Sequence, residues 1–362
     1  MAKNNLTQKN IVVFTNTLLS GGAEKQAVLL AKALNEKYNV WLLVFYGNQI
    51  DDKFLKIINL NNIKTVFLHG NIIFKLISFY KFLRIKRITI IFSYLLTTNL
   101  IGCLIGKITK VEYFFPGVRN AVLNPKKEIF QRFIQNRLST KTIYNNYKGL
   151  NYLSKKGFIK NKAIVISNCF EFNNDQILRP KKEKTIILSL GRFVEQKDWF
   201  TALESIKILR KINKEFIYYV VGYGHLEVLL RDWIEMNNTI EYVKIIINPK
   251  DINSYYNMAD IYLQTSLFEG LSNTVMEAMS FSLPLVVTNV GDNDRLIVND
   301  KNGYLCDVGD TKTIADKLDY LINNFNKRID FGLHSYNKLK ENYSFETFKK
   351  NYFKLIEDME KI

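Results

Sequence analysis

A regular alternation of short apolar segments with segments of helical periodicity constrains this chain most strongly, and it occurs twice. In the first instance IVVFTN (11–16) precedes Glu24–Leu34, where apolar residues recur at helical spacing. Near-continuous apolar strands alternating with helices are typical of parallel sheets covered on both faces. The sequence therefore predicts an α/β fold with two doubly wound, Rossmann-like sheets. The predicted strands are 11–16, 39–46, 65–70, 88–93, 111–120, 140–146 and 163–168 in the first series, and 185–191, 216–222, 243–247, 260–266 and 284–290 in the second.

The length of 362 residues exceeds what one hydrophobic core usually supports, so two domains are expected. We predict a first domain over 1–170 and a second over 171–344, with the polar stretch FEFNNDQILRPKKEK (170–184) as the linker. Ligands of such folds bind at the carboxyl ends of the strands, where the next helix begins. Candidate site residues are therefore sought at these junctions.

Charge is distributed unevenly along the chain. Residues 1–170 carry 26 Lys and Arg against 6 Asp and Glu, whereas the remainder carries 25 against 28. A basic first half implies an anionic partner, for which a membrane surface, a phosphorylated glycolipid and nucleic acid are the alternatives. The segment 72–87 interleaves apolar residues with five Lys and Arg, and as an amphipathic helix it would suit an anionic bilayer. Its apolar side would suit a protein core equally well.

One uncharged stretch, residues 88–106, approaches the length of a membrane span. Polar residues at its centre, Ser93 and Thr97–Asn99, favour a buried strand followed by a helix that contains glycine. The first ten residues lack the apolar core of a signal peptide, and the three cysteines show no disulfide or zinc spacing. Together these features predict a cytoplasmic protein.

The first strand-to-helix junction, TNTLLSGGAEKQ, contains Gly21 and Gly22. Glycines let a ligand approach the backbone closely, and a helix that opens there offers unpaired N–H groups to an anion. The spacing matches neither a dinucleotide-binding fingerprint nor a P-loop. A phosphate site and a simple tight turn both remain open for this junction.

A second junction, LGRFVEQKDW (190–199), places Arg192 and Lys197 just past a strand end. Arginine holds phosphate oxygens through two donors, and lysine adds a point charge. Two ordinary surface cations would give the same pattern, so this junction alone leaves both interpretations open.

The segment 266–292 is the richest in candidate residues. Ser272 and Asn273 are capping residue types that would open a helix, and its N-terminus would suit a diphosphate. Glu277, one turn later, could accept hydrogen bonds from ribose hydroxyls, and Glu269 in the preceding turn could do so from a bound sugar. Two acids beside an anion site make sense when the ligand is a diphosphate flanked by two polyols.

This arrangement resembles glycosyltransferase family 4, whose fold is called GT-B. The family signature is a Glu, seven residues and a second Glu, followed by a Pro-led strand. Here it corresponds to Glu269, Glu277 and LPLVVTNVGD. Five further motifs occur in the family's order, so the resemblance covers nearly the whole chain. They are GGAE, GRFVEQKD, VVGYGHLEVLL (220–230), MADIYLQTS (258–266) and NGYLCDVGD (302–310).

The resemblance implies a role for each matched residue. Arg192 and Lys197 would bind the donor diphosphate, Glu277 the ribose and Glu269 the transferred sugar. The backbone of Gly270, Leu271, Ser272 and Asn273 would hold phosphate and sugar, while Gly21 and Gly22 would face them from the other domain. Arg192, Lys197 and Glu269 are the implied catalytic residues.

The implied enzyme is a retaining, metal-independent glycosyltransferase that needs no cofactor. Its donor would be a nucleotide sugar, most simply a UDP-sugar. Its acceptor would be a lipopolysaccharide, capsule or lipid-linked glycan at the cytoplasmic face of the membrane. The first domain, completed by a C-terminal helix over 345–362, would bind this acceptor and the anionic membrane surface, with no nucleic acid partner. The second domain would bind the nucleotide sugar.

Two other functions stay open. One is a sugar-nucleotide epimerase of the same fold, and the other is a non-catalytic binder of anionic membrane or nucleic acid. The chain also departs from the family pattern, because Ser282 replaces a usual glycine, Asp292 replaces a second and Arg295 replaces a usual acid. His69 ends a predicted strand and is expected to be structural, so no general base is named.

Overall fold

The computed structural model describes residues 9–19, 21–47, 49–119, 124–170, 172 and 176–361. The chain forms two compact units, one comprising Met1–Cys169 with Phe345–Ile362 and the other Phe170–Ser344. The second series of strands and helices thus belongs to its own unit. The last helix packs with the first unit.

The N-terminal unit has a parallel sheet with a crossover helix after most strands. Its elements before the crossing are β1 (Asn10–Thr15), α1 (Gly22–Asn35), β2 (Asn39–Val44), α2 (Asp52–Leu60), β3 (Lys64–Phe67), α3 (Ile72–Ile85), β4 (Ile90–Tyr94), α4 (Leu96–Thr109), β5 (Tyr113–Val118), α5 (Pro125–Phe133) with a π-helical turn (Ile134–Leu138), β6 (Thr142–Tyr144), α6 (Tyr147–Ser154), a 3-10 turn (Lys160–Lys162) and β7 (Ala163–Val165). Among the described residues the strand order is β3-β2-β1-β4-β5-β6-β7. The order reverses between β1 and β4, as in doubly wound folds.

The C-terminal unit repeats this plan with six strands in its described residues. Its elements are β8 (Thr185–Arg192), a 3-10 turn (Glu195–Lys197), α7 (Trp199–Ile212), β9 (Phe216–Tyr223), α8 (Glu227–Met236), β10 (Val243–Ile247), α9 (Ile252–Met258), β11 (Ile261–Gln264), α10 (Asn273–Ser280), β12 (Leu285–Thr288), α11 (Asn293–Leu296), β13 (Gly303–Cys306), α12 (Thr311–Asn323) and α13 (Phe325–Tyr343), after which α14 (Phe345–Glu360) returns to the first unit. The strand order β10-β9-β8-β11-β12-β13 reverses between β8 and β11.

Both faces of each sheet are covered, which is why the strands read as continuous apolar runs. In the N-terminal unit Ile11 and Val13 join the core that contains α1 and α14, while Val12 and Phe14 join the core that contains α3 and α4. Successive side chains of a strand point to opposite faces, so both sets must be apolar. The predicted α/β class with two doubly wound sheets is confirmed.

The uncharged stretch 88–106 forms β4 and most of α4, as predicted. Asn99, at its centre, is buried, accepts from the Ser93 hydroxyl at 2.9 Å and donates to the Gly117 carbonyl at 2.9 Å. Its polar residues therefore bond within the protein. A search of the described residues finds no helix with the length and apolarity that crossing a membrane requires.

The prediction that 170–184 is a linker between the domains is wrong, because the described part of this stretch packs on the C-terminal unit. Arg179 is buried and donates to the backbone oxygens of Ala259 at 2.5 Å and Ser282 at 3.1 Å. The side chain of Lys182 pairs with Asp260 at 3.0 Å. A buried guanidinium needs several acceptors, and strand and helix ends supply them here.

Candidate nucleotide-sugar site

A pocket of about 330 Å³ opens at the carboxyl ends of β8 and β9. It lies beside the reversal of strand order between β8 and β11, where ligands of doubly wound folds bind. Its walls come from strand ends, the turn after β8, the loop after β10 and the start of α10. They comprise Leu190, Gly191, Arg192, Gln196, Lys197, Val221, Gly222, Tyr223, Asn248, Pro249, Ile252, Glu269, Leu271, Asn273 and Thr274.

Two glycines lie side by side where β8 and β9 end. Gly191 and Gly222 are register partners across the two strands. A Cβ atom on Gly222 would lie 1.9 Å from the Gly191 carbonyl oxygen, and one on Gly191 would touch the Lys197 stem at 3.4 Å. Only glycine at position 222 permits this close approach of the two backbones.

Lys197 and Glu269 form an ion pair in the pocket. The Lys197 Nζ lies 2.5 Å from the Glu269 Oε1, and the side chains are only 14% and 10% exposed. The Ser266 hydroxyl donates to the same Oε1 at 2.8 Å. Within the described residues both bonds to this carboxylate use Oε1, so Oε2 is available to accept from a ligand hydroxyl.

Hydrogen bonds from the loop after β11 fix the turn that carries Lys197. The Thr265 hydroxyl donates to the Lys197 carbonyl at 3.2 Å and the Asp198 carbonyl at 2.8 Å. The Leu267 N–H donates to the Gln196 carbonyl at 2.9 Å. Asp198 adopts a left-handed conformation, φ 45°, and caps α7 by accepting from the Thr201 N–H. The turn before α7 is thereby held against the loop after β11.

Arg192 ends β8 and lines the pocket. The indole N–H of buried Trp199 donates to the Arg192 carbonyl at 3.0 Å, so the backbone is held while the side chain remains exposed. The structure thus brings Arg192, Lys197 and Glu269 into one pocket. Two cations and one acid give this pocket a net positive charge suited to a phosphate group.

The start of α10 forms another wall. Ser272 occupies the N-cap position, but no side-chain hydrogen bond caps the helix. Instead the Ser272 hydroxyl accepts from the Gln264 amide at 3.0 Å. The helix thus opens at Ser272 and Asn273, as predicted, although the Ser272 hydroxyl makes no capping hydrogen bond. Leu271 and Asn273 line the pocket, whereas Gly270 and Ser272 are not part of its lining.

The turn at Gly270 is backed by the loop after β12. Gly291 has φ 55°, and a Cβ there would lie 2.2 Å from the Gly270 carbonyl oxygen. The Asp292 N–H donates to the same oxygen at 2.8 Å. Asp292, which replaces a glycine of the resembled family, is buried and still permits this contact.

Glu277 lies one turn into α10, outside the pocket lining. The phenol of Tyr256 donates to its Oε2 at 3.0 Å. Burial, and then the Glu277 charge, raise the pKa of Tyr256 well above its ordinary value. The phenol therefore stays protonated and orients the carboxylate. Whether Glu277 binds ribose stays a prediction.

The region matched by a known family coincides with this unit. Residues 170–338 match the model of the family "Glycosyl transferases group 1". The C-terminal unit is a group 1 glycosyl transferase domain. The predicted kinship with group 1 glycosyl transferases is thus confirmed, and the pocket belongs wholly to this domain.

Curated relatives of the chain include a Haemophilus influenzae protein named as an uncharacterized glycosyltransferase. It is 31% identical over 164 residues, which cover 44% of this chain and 46% of that protein. A Campylobacter jejuni PP-undecaprenol alpha-1,4-N-acetyl-D-galactosaminyltransferase is 23% identical over 95% of this chain and 97% of its own length. This chain spans about half the length of the first curated relatives that it matches.

Solved structures resemble the chain over nearly its full length. An Anabaena protein, HepE in complex with UDP, matches with a TM-score of 0.84 at 14% identity, covering 97% of this chain and 100% of that one. At this identity the likeness shows the fold, and the predicted GT-B fold is confirmed.

The sequence-predicted glycines of the other unit lie at the start of α1. Gly22 begins the helix, and Gly21 occupies the N-cap position. A Cβ on Gly21 would lie 2.2 Å from a Glu24 carboxylate oxygen, and Thr17 donates to that carboxylate at 3.1 Å. An acid therefore occupies the helix tip, and the part of Gly21 and Gly22 in donor binding stays a prediction.

Sequence reasoning missed one wall of the glycosyl transferase pocket. Tyr223 ends β9, and Asn248, Pro249 and Ile252 follow β10. The rule that ligands bind at the carboxyl ends of strands would have found these residues, since each ends or follows a strand. Gln196 was also missed, because a neutral residue whose backbone carbonyl accepts a hydrogen bond from another loop has no recognisable sequence signal.

The structure also describes Ser282 and His69, which the sequence singled out. Ser282 replaces a family glycine and indeed has φ 52°, a left-handed conformation that glycine favours. Its hydroxyl accepts from the Ile177 N–H at 3.1 Å, which offsets part of the strain. His69 is exposed, and its ring centroid lies 6.5 Å from that of Phe67. Across the described residues no three His, Cys, Asp or Glu side chains are grouped as metal ligands would be.

Proposed function

We propose that this chain is a retaining family 4 glycosyltransferase that uses a nucleoside diphosphate sugar and needs no metal. The observation that carries this proposal is the buried ion pair of Lys197 and Glu269 beside Arg192, in a pocket at a topological switch point. A positive pocket with one carboxylate oxygen available fits a diphosphate attached to a hydroxylated ring. UDP is the expected nucleotide, and the UDP complex of the Anabaena structure supports it.

Each charged residue has a defined task in the proposed reaction. Arg192 and Lys197 bind the diphosphate and stabilise the negative charge that grows as the sugar C1–O bond breaks. Glu269 stays beside Lys197 and accepts from a sugar hydroxyl through Oε2. The electron pair of the broken bond leaves with the diphosphate.

The acceptor hydroxyl forms the new bond to C1 on the face that the diphosphate leaves, which preserves the anomeric configuration. Its proton passes to the departing phosphate oxygen, so the protein supplies no general base. Glu277, oriented by Tyr256, would accept from the ribose hydroxyls.

The proposed acceptor is a lipopolysaccharide, capsule or lipid-linked glycan at the cytoplasmic face of the membrane. The name of the Campylobacter jejuni relative, which contains PP-undecaprenol, supports a lipid-linked acceptor. The N-terminal unit would bind it, with Gly21 and Gly22 approaching the donor.

A thermal-shift screen with UDP-, GDP- and ADP-sugars tests the donor. We expect a UDP-sugar to raise the melting temperature in the wild type and to do so much less in Lys197→Ala or Glu277→Ala. Product analysis by NMR should show a retained anomeric configuration, unaffected by EDTA. Unchanged transfer by both variants would refute the site. Interconversion of UDP-sugars without an acceptor would indicate an epimerase instead.

A further inference from the structure

The sheet of the N-terminal unit has a switch point of its own. Its strand order reverses between β1 and β4, and the carboxyl ends of β4 and β5 lie side by side, with Tyr94 paired to Gly117. Arg119 follows directly after β5, which ends at Val118. The side chain of Arg119 therefore starts at the edge of the sheet where ligands of doubly wound folds bind.

Neighbouring groups hold the Arg119 guanidinium in place. Its Cζ lies 4.2 Å from the centroid of the Tyr94 ring, and its Nη1 donates to the Asn168 Oδ1 at 3.3 Å. The Tyr94 phenol donates to the Gln26 carbonyl oxygen at 3.3 Å, which ties this ring to α1. A guanidinium that is fixed before binding loses less conformational entropy when a ligand binds.

The positive charge of Arg119 is not balanced by an acid among the described residues. None of the ion pairs between them includes Arg119, and its Nε is buried without a hydrogen-bond acceptor. Burial raises the pKa of Tyr94 well above its ordinary value and also raises the pKa of Tyr352, although the charge of Arg119 opposes both shifts. Both phenols therefore stay protonated and supply no negative charge. The Arg119 side chain is half-buried, so an anion can reach it from solvent.

Gly117 keeps a side chain away from the same guanidinium. A Cβ at this position would lie 3.3 Å from the Arg119 Nε, 3.4 Å from its Nη2 and 3.0 Å from the Ser93 carbonyl oxygen. A larger residue at position 117 would thus crowd the guanidinium. Arginine holds carboxylate and phosphate groups through pairs of N–H donors, and the glycine leaves space beside such a pair.

The two helices that start near this edge differ in charge. The tip of α1 holds the Glu24 carboxylate, which accepts from the Thr17 hydroxyl at 3.1 Å. By contrast, α4 has no acid in its first turn, and its Asn99 donates to the Gly117 carbonyl oxygen at 2.9 Å. The start of α4, which favours negative charge, therefore lies beside the end of β5. An anion thus fits the edge at Arg119 and not the tip of α1.

We propose that Arg119 binds an oxyanion of the acceptor, so that the acceptor carries a phosphate or carboxylate group close to the sugar that is extended. This inference rests on the proposed function, in which the N-terminal unit binds the acceptor. It adds the charge of the acceptor and the residue that selects for it. A neutral glycan offers only hydroxyl groups, which bind a guanidinium less tightly than an oxyanion does.

Calorimetric titration with small sugars tests this site. A first titration with UDP measures donor binding, and therefore tests the proposed function by itself. The UDP-saturated protein is then titrated with glucose 1-phosphate, with glucuronate and with neutral methyl glucoside. We expect at least one of the two anions to bind about 10- to 100-fold more tightly than methyl glucoside, because a hydrogen bond to a charged group is the stronger one. Tighter binding of glucose 1-phosphate indicates a phosphate on the acceptor, and tighter binding of glucuronate indicates an acidic sugar.

Variants assign the binding to Arg119. Arg119→Gln should weaken binding of the anion about 10- to 100-fold and leave methyl glucoside unaffected. Arg119→Lys keeps a cation over the Tyr94 ring but loses the planar pair of donors, so its effect should be smaller, and it replaces Arg119→Gln if that variant does not fold. Arg84→Gln is the matched control, because Arg84 is exposed in the last turn of α3, which runs from the carboxyl end of β3 to the amino end of β4. Circular dichroism checks the fold of each variant.

Two results would overturn the inference. One is equal binding of the anions by the wild type, Arg119→Gln and Arg119→Lys, and the other is binding of neither anion to the wild type. If UDP still binds in these experiments, the proposed donor site stands without the Arg119 site. If UDP does not bind but the anions bind and Arg119→Gln loses them, the Arg119 site stands and the proposed donor is wrong.

Discussion

Lys197→Met removes the charge but keeps much of the side-chain volume in the pocket. Removing one partner of a buried ion pair costs about 3–5 kcal/mol because the other charge is left unpaired. The Glu269 side chain is 10% exposed and keeps the Ser266 hydroxyl, so we expect the lower end, about 3 kcal/mol of unfolding free energy. Adding Glu269→Gln removes the unpaired charge and should restore about 2 kcal/mol.

The same substitution should also weaken UDP binding. Truncating one member of a buried charged contact costs about 2–5 kcal/mol of binding. Because Arg192 would still hold the diphosphate, we expect about 2 kcal/mol, which corresponds to a roughly 30-fold rise in Kd.

Urea denaturation and calorimetric titration with UDP measure these effects. Trp199 and Trp233 lie in the C-terminal unit, so the fluorescence reports mainly on that unit. Lys211→Met, at an exposed end of α7, is the control and should shift stability by less than about 0.5 kcal/mol. The reasoning is refuted if Lys197→Met is as stable as this control, or if the double variant is less stable than Lys197→Met alone.

Three further outcomes are expected. Tyr256→Phe removes the hydrogen bond to the Glu277 carboxylate and should lower the free energy of unfolding in urea by about 1.5 kcal/mol. The KM for the donor should rise, and an unchanged KM would argue against a role of Glu277 in donor binding. Gly222→Ala places a methyl group against the Gly191 carbonyl and should abolish UDP binding in calorimetry, whereas intact binding would mean that the strands separate easily. Ser282→Ala loses a hydrogen bond but keeps the strain of the left-handed backbone, whereas Ser282→Gly relieves about 1 kcal/mol of that strain. The melting temperature of Ser282→Ala should therefore be below that of Ser282→Gly, and the reverse order would contradict the assignment of strain to this residue.

The local pattern of the chain predicted most strands and the helices beside the site. The strand 185–191 and the helix that opens at Ser272 and Asn273 were predicted within a few residues, because apolar periodicity and capping residue types are properties of neighbouring residues. Helix α2 (Asp52–Leu60) was missed, since only Phe54 and Ile58 of its nine residues are buried and its periodic signal is short.

The charged residues of the site could also be predicted from the sequence, because an Arg, a Lys and a Glu that follow strand ends indicate binding of anions and polyols. The ion pair between Lys197 and Glu269 could not be predicted. Lys197 and Glu269 are 72 residues apart, and only the adjacency of β8 and β11 brings them to 2.5 Å.

The sequence by itself determined the fold class, the two-part organisation and the residue types available for the site, because periodicity, length and strand-end chemistry are local properties. Tertiary structure alone decided which residues meet. The Ser272 hydroxyl bonds to Gln264 although its residue is the N-cap of α10, and Arg179 packs on the C-terminal unit. The tertiary structure also left the apolar side of α3 exposed. These outcomes depend on which side chains compete for the same acceptor or cover the same surface, and residues distant in the chain settle that competition.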